Sequence, residues 1–105
     1  MPHLRILIWK TKRHFVGQCL EKDFCAHGST IDAMLANLTI LMEGQAEWDR
    51  ELNLEPLAQV PPAPPYFEHR WRQARPLAEL HRPDVASSPY AEAVGQAECA
   101  LVASV

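Results

Sequence analysis

No stretch of this 105-residue chain approaches the roughly 18 consecutive apolar residues that a membrane-spanning helix requires. The opening Met-Pro-His-Leu-Arg-Ile-Leu-Ile-Trp lacks the longer apolar core and small-residue cleavage site of a signal peptide. A cytoplasmic protein with no membrane contact is therefore expected. Cysteine is scarce: Cys19, Cys25 and Cys99 are odd in number and include no CxxC, which argues against a disulfide framework or a zinc ribbon. Free thiols behaving as small hydrophobes are expected instead. Glycine-rich phosphate loops, HExxH and GxSxG are absent.

The histidines worth weighing are His14, His27 and His69. Cys25-Ala26-His27 could place a thiol and an imidazole on one face of a strand, but a metal or a Cys–His nucleophile also needs further ligands or an orienting carboxylate. Only Asp23 lies nearby on that face. The strand order has a ribonuclease-H-like look. That chemistry needs several carboxylates converging on metal ions, and the first strands offer only Glu21 and Asp23, both near a turn. The expected protein is not an enzyme, with no catalytic residue, cofactor or metal.

Residues 4–10 and 14–20 alternate as strands. Leu4, Ile6 and Ile8 share one side against Arg5, Leu7 and Trp9, and Phe15, Gly17 and Cys19 oppose Val16, Gln18 and Leu20. The Thr11-Lys12-Arg13 connection is short enough for an antiparallel hairpin, although no Asn-Gly or Asp-Gly defines its turn. A third strand near 23–27 completes a meander. An amphipathic helix then runs from Ser29 to about Asn53, capped by Ser29 or Thr30. Its apolar stripe is read as Ile31, Met34, Leu35, Leu38, Leu41, Met42, Gln45, Trp48 and Leu52. Gly44 weakens the helix centre and marks a close contact or bend, and Pro56 makes continuation unfavourable.

Residues 56–65, PLAQVPPAPP, are too proline-rich for regular structure and should run extended, with Leu57 and Val60 packing back onto the domain. Pro65 can open a short helix over Tyr66–Gln73, closed by Pro76. Residues 83–95 read as loop. Residues 96–105 read as a last strand, with a helix as the competitor because alanine is dense. No internal repeat is found. The resulting fold class is α+β: a three-stranded antiparallel meander followed by a long helix packed on one face, a proline-rich connector, a short helix and a C-terminal strand. The expected organisation is one domain in three parts: a core over 1–54, connector and short helix over 55–76, and a tail over 77–105.

The order and spacing of Gln18-Cys19-Leu20-Glu21, Asp23-Phe24-Cys25-Ala26-His27-Gly28-Ser29-Thr30 and Ala33-Met34-Leu35-Ala36-Asn37-Leu38 resemble the HicB-like antitoxin family. The match covers roughly residues 4–52, and it extends to about Trp71 through the proline-and-aromatic passage after the helix. It is to solitary HicB-like proteins, because the Pro-Gly of the family's usual Leu-Pro-Gly-Cys step is absent, and no helix-turn-helix or ribbon-helix-helix pattern follows. The resemblance implies a protein-interaction module whose partner is a small ribonuclease toxin, neutralised by covering its active surface.

Charge is uneven within a net of −3. Arg5, Lys10, Lys12, Arg13 and Lys22 make the N-terminal hairpin basic. The helix region is acidic through Asp32, Glu43, Glu47, Asp49, Glu51 and Glu55, and Arg70, Arg72, Arg75 and Arg82 form a second basic cluster. An overall acidic chain lacks the footprint of a dedicated nucleic-acid binder, whereas opposite patches can complement each other between subunits. A homo-oligomer is expected. The candidate interaction residues are Trp9, Lys10, Lys12, Arg13, Trp48, Phe67 and Trp71. The alternative is a regulator that contacts nucleic acid through the basic hairpin in an oligomer.

Overall fold

Alternating residues build the first two strands, β1 (Arg5–Lys10) and β2 (Phe15–Cys19), which pair antiparallel with Ile6 opposite Cys19 and Lys10 opposite Phe15. The computed structural model describes residues 3–77, 88–103 and 105 of the chain. The glycine-free turn is closed by Thr11. Its amide donates to the carbonyl of His14 at 2.8 Å, and its hydroxyl accepts from the His14 amide at 3.2 Å. β3 (Cys25–Gly28) pairs antiparallel with β2 and completes the expected meander.

Helix α1 (Ile31–Glu51) follows, with Thr30 as its cap: the Thr30 hydroxyl accepts from the Ala33 amide at 3.0 Å. The step from strand to helix is tight. A Cβ added at Gly28 would stand 2.5 Å from the Met34 amide nitrogen and 2.8 Å from the Ala33 carbonyl carbon. Only glycine lets β3 and the first turn of α1 approach this closely.

The α+β class holds, but the sheet is larger than a three-stranded meander. Among the described residues it has five strands in the order β3-β2-β1-β5-β4, where β4 is Arg75–Pro76 and β5 is Glu98–Leu101. β5 runs parallel to β1, with Arg5 opposite Glu98 and Ile8 opposite Leu101, so the sheet is mixed. Period-two alternation marks strands without naming their partners, and these two lie at opposite ends of the chain. Pro76, read as a helix stop, instead pairs with Ala100 at the sheet edge, where a missing N–H is tolerated.

The tail also differs from its reading as loop. Residues 89–95 form α3 (Pro89–Gly95), capped by the Ser88 hydroxyl, which accepts from the Ala91 amide at 3.1 Å, with Pro89 in the first turn. Ser88 also donates to Glu43 of α1 at 3.2 Å. Arg82, residues 83–87 of the expected loop and Ser104 of the expected strand lie outside the described residues. The short helix α2 (Pro65–Trp71) begins where Pro65 placed it.

The core lies between the sheet and α1 with α3. Leu4, Ile6, Ile8, Cys19 and Cys99 meet Met34, Leu35, Leu38, Met42, Ala46 and Val94. The buried stripe of α1 departs from the one read in the sequence. Ala46 and Asp49 take the inner positions of the last turns, while Leu41, Trp48 and Leu52 are left exposed.

Candidate interaction surfaces

The far face of the sheet is only partly covered. Leu7, Leu20 and Val102 are buried there beneath half-buried Trp9, Phe67, Trp71 and Ala74. Pro65 starts α2 at the right place for Phe67 to stack on Trp9, with ring centroids 6.3 Å apart and planes inclined by 20°. Three of the sequence-predicted interaction residues, Trp9, Phe67 and Trp71, are therefore brought together, but largely to cover the sheet.

Arg5 locks this layer. Its Nε donates to Glu21 at 2.5 Å, its two terminal nitrogens donate to the Glu68 carboxylate at 2.6 and 2.9 Å, and its guanidinium lies 5.7 Å from the Trp71 ring centre. The fork from Arg5 holds the Glu68 carboxyl below the usual carboxylate value. The bond with Glu68 is also the largest influence raising Arg5 further above its ordinary value. Sequence alone gives no means of pairing residues 5 and 68.

The proline-rich connector is strapped across the β2–β3 turn. Asp23 and Ala63 amides donate to Pro61 and Leu20 carbonyls at 2.7 and 2.9 Å, and Lys22 Nζ donates to the Leu57 carbonyl at 2.8 Å. Lys22 is thus engaged inside the fold, while Lys10, Lys12 and Arg13 remain exposed at the hairpin tip, with Lys10 Nζ 5.5 Å from the Phe15 ring centre. Buried Asp49 fixes the other end of the connector: it accepts from the Leu57 amide at 2.8 Å and from Gln45 at 3.0 Å. Leu57 itself is buried at φ 64°, a left-handed conformation that this hydrogen bond helps to hold.

Beyond α2, the same sheet face opens into a shallow concavity of about 310 Å³ lined by Thr11, His14, Val16, Cys25, Ala26 and His27. Cys25 and His27 do share a face, and the His14 and His27 rings meet edge-on with centroids 5.1 Å apart. Local desolvation, then the Asp23 carboxylate, pushes the Cys25 thiol above its ordinary value, opposite to what a nucleophilic thiolate needs. Among the described residues, no group of three or more His, Cys, Asp or Glu side chains is placed to hold a metal ion.

Among the described residues, the largest unspent apolar surface is on α1. Ile40, Leu41, Trp48 and Leu52 are 64, 45, 56 and 51% exposed, and they fall on one stripe of the helix with Gly44 between them. Trp48 is thus the one aromatic among the expected interaction residues that stands more than half exposed. Leu41 and Leu52 belong with it on this stripe, whereas the sequence pattern assigned them to the core, and Ile40 escaped notice altogether. The signal that separates the two stripes is subtle. Small Ala46 and polar Asp49 continue the Met34-Leu38-Met42 face at helical spacing more faithfully than the larger residues do.

Among the described residues, no helix is long and apolar enough to cross a membrane. No protein-family model matches the chain, and neither the curated proteins nor the solved structures compared with it give a match.

Proposed function

We propose that this protein is a non-enzymatic, cytoplasmic protein-interaction module of the HicB-like antitoxin kind, working as a homo-oligomer. By that resemblance its heterologous partner is a small ribonuclease toxin. The observation that carries the reading is the exposed ridge of Ile40, Leu41, Trp48 and Leu52 on α1. Four large apolar side chains on one stripe of a small domain are surface that a partner covers.

The nucleic-acid alternative is weaker. Of the cations Lys10, Lys12, Arg13 and Lys22 that it would use, Lys22 is engaged with connector carbonyls, and the exposed remainder is a small patch on an acidic chain. The test is a search for a small basic reading frame beside the gene, whose absence would count against the antitoxin reading, followed by co-expression of any such frame with this protein. The reading expects that frame to arrest growth alone, growth to be restored by this protein, and the two to co-purify at a fixed ratio. An adjacent frame that neither arrests growth nor binds would sink the antitoxin reading. Nanomolar binding of the isolated protein to a defined operator, lost in Lys12→Ala with Arg13→Ala, would promote the alternative.

A further inference from the structure

We infer that the ridge on α1 is covered by a second copy of this chain, packed antiparallel helix to helix about a two-fold axis at Gly44. The inference rests on the oligomeric interaction module proposed above and names the surface and its occupant.

Gly44 lies in the middle of a 21-residue helix, and a Cβ built on it would meet nothing within 4 Å. Gly28 is held by close backbone contact, whereas nothing within the described protomer requires a glycine at 44. A mid-helix glycine nevertheless costs about 1 kcal/mol relative to alanine. It stands within the largest exposed apolar stripe among the described residues, where small residues let two helices approach closely.

The ridge is self-complementary about this point. In an antiparallel pair crossing at Gly44, Trp48 of each copy comes opposite Leu41 and Ile40 of the other, and Leu52 comes opposite the helix's opening turns. Residues 33–42 carry no charge, whereas residues 43–51 carry Glu43, Glu47, Asp49, Arg50 and Glu51. The antiparallel sense sets each acidic half against the uncharged residues 33–42 of the other copy, toward the N-terminal end of that helix, whose first turn carries the single acid Asp32. A parallel pair would instead place Glu47 and Glu51 against their own mates. An isologous contact of this kind closes as a dimer and leaves no ridge for further growth. Glu43 is engaged by Ser88 on another side of the helix, so α3 does not compete for the surface.

The experiment uses the full chain. Sedimentation should show a dimer that dissociates on dilution. Gly44→Arg should raise the dissociation constant by about tenfold or more through bulk and like charge at the axis, with helix content unchanged because the site is open. A Gly44→Cys variant in a Cys25→Ser background should form an intermolecular disulfide under mild oxidation, because residues on a two-fold axis meet their own mates within bonding distance. Ile40→Cys in the same background should not.

A protein that stays monomeric at several hundred micromolar overturns the inference. So does a dimer untouched by Gly44→Arg, or one that cross-links at residue 40 and not 44. If that monomer still binds the adjacent-frame toxin, the interaction reading stands and only this arrangement falls. If it binds neither itself nor the toxin, both fall.

Discussion

Under α1, the sheet contributes Leu4, Ile6, Ile8 and Cys19, and the helix returns Met34, Leu35, Leu38 and Met42, all essentially out of water. The opposite face buries Leu7, Leu20 and Val102 with Ala100 and the polar Gln18, roofs them with half-buried aromatics, and ties the roof down with Arg5 between Glu21 and Glu68. The same strands therefore build a dry, largely apolar layer on one side, interrupted by Asp49 near the end of α1, and a thinner, charged, solvent-touched layer on the other. Burial of apolar area dominates stability, and partly exposed ion pairs contribute little. The α1 face should hold the fold, and the α2 face should tolerate change.

The sharpest way to break that asymmetry is Leu38→Asp. It places an unpaired carboxylate at a position only 1% exposed, at a cost on the order of 4 kcal/mol or more, enough to unfold a domain of this size. An unchanged cooperative melt for this variant would show that the core has been assigned to the wrong face.

Gly28→Ala comes next. Its methyl would meet main-chain atoms of Ala33 and Met34, which cannot turn aside, so a loss of about 3 kcal/mol is expected. Gly17→Ala is the control. Its methyl would meet the Met34 Sδ at 2.3 Å and Cε at 2.9 Å, the far end of a flexible side chain that can yield, so a loss of about 1 kcal/mol is expected. Chemical denaturation that ranks the two the other way round would mean the strand-to-helix step is looser than described.

On the opposite face the expected effects shrink. Arg5→Ala removes three side-chain bonds at once, yet the side chains of Arg5, Glu21 and Glu68 are 27, 21 and 44% exposed. Water can replace much of what is lost, and the cost should be about 1 kcal/mol. A loss as large as that of Leu38→Asp would erase the contrast between the faces.

What could be read in the sequence follows the same division. The inward and outward alternation of Leu4 to Trp9 and Phe15 to Leu20, the Thr30 cap and the Pro65 start are local signals, and each is realised in the fold. Contacts made at long range were not legible. The parallel pairing of β1 with β5, the bond from Arg5 to Glu68, and the Asp49 carboxylate that receives Leu57 have no periodicity to announce them. α3 was missed although Ser88-Pro89 is a legitimate helix start, because serine and proline weigh equally as loop signals. Within the candidate surface, Trp48 was legible as an aromatic in excess of the core. Leu41 and Leu52 were not, because an apolar helix with two adjacent stripes looks like one broad stripe until a neighbour covers only half of it.

The smallest expected effect is a pH dependence confined to the α2 face. The hydrogen bonds from Arg5 hold the folded-state Glu68 carboxyl below its usual value of 4.5. A group depressed in the folded state contributes stability above its unfolded value and loses it as pH falls through the folded one. The pair's contribution should therefore be intact at pH 7 and should fade below pH 4.5. Because Glu68 is 44% exposed, solvent and salt screen much of the attraction, and the effect should be a small shift in Tm. Comparing wild type with Glu68→Gln isolates it from the other carboxylates. The variant should melt slightly lower at pH 7, the gap should narrow with added salt, and the two curves should converge in acid. A gap that persists unchanged at pH 3 would mean that Glu68 acts through packing against its neighbours rather than through the charge that Arg5 receives.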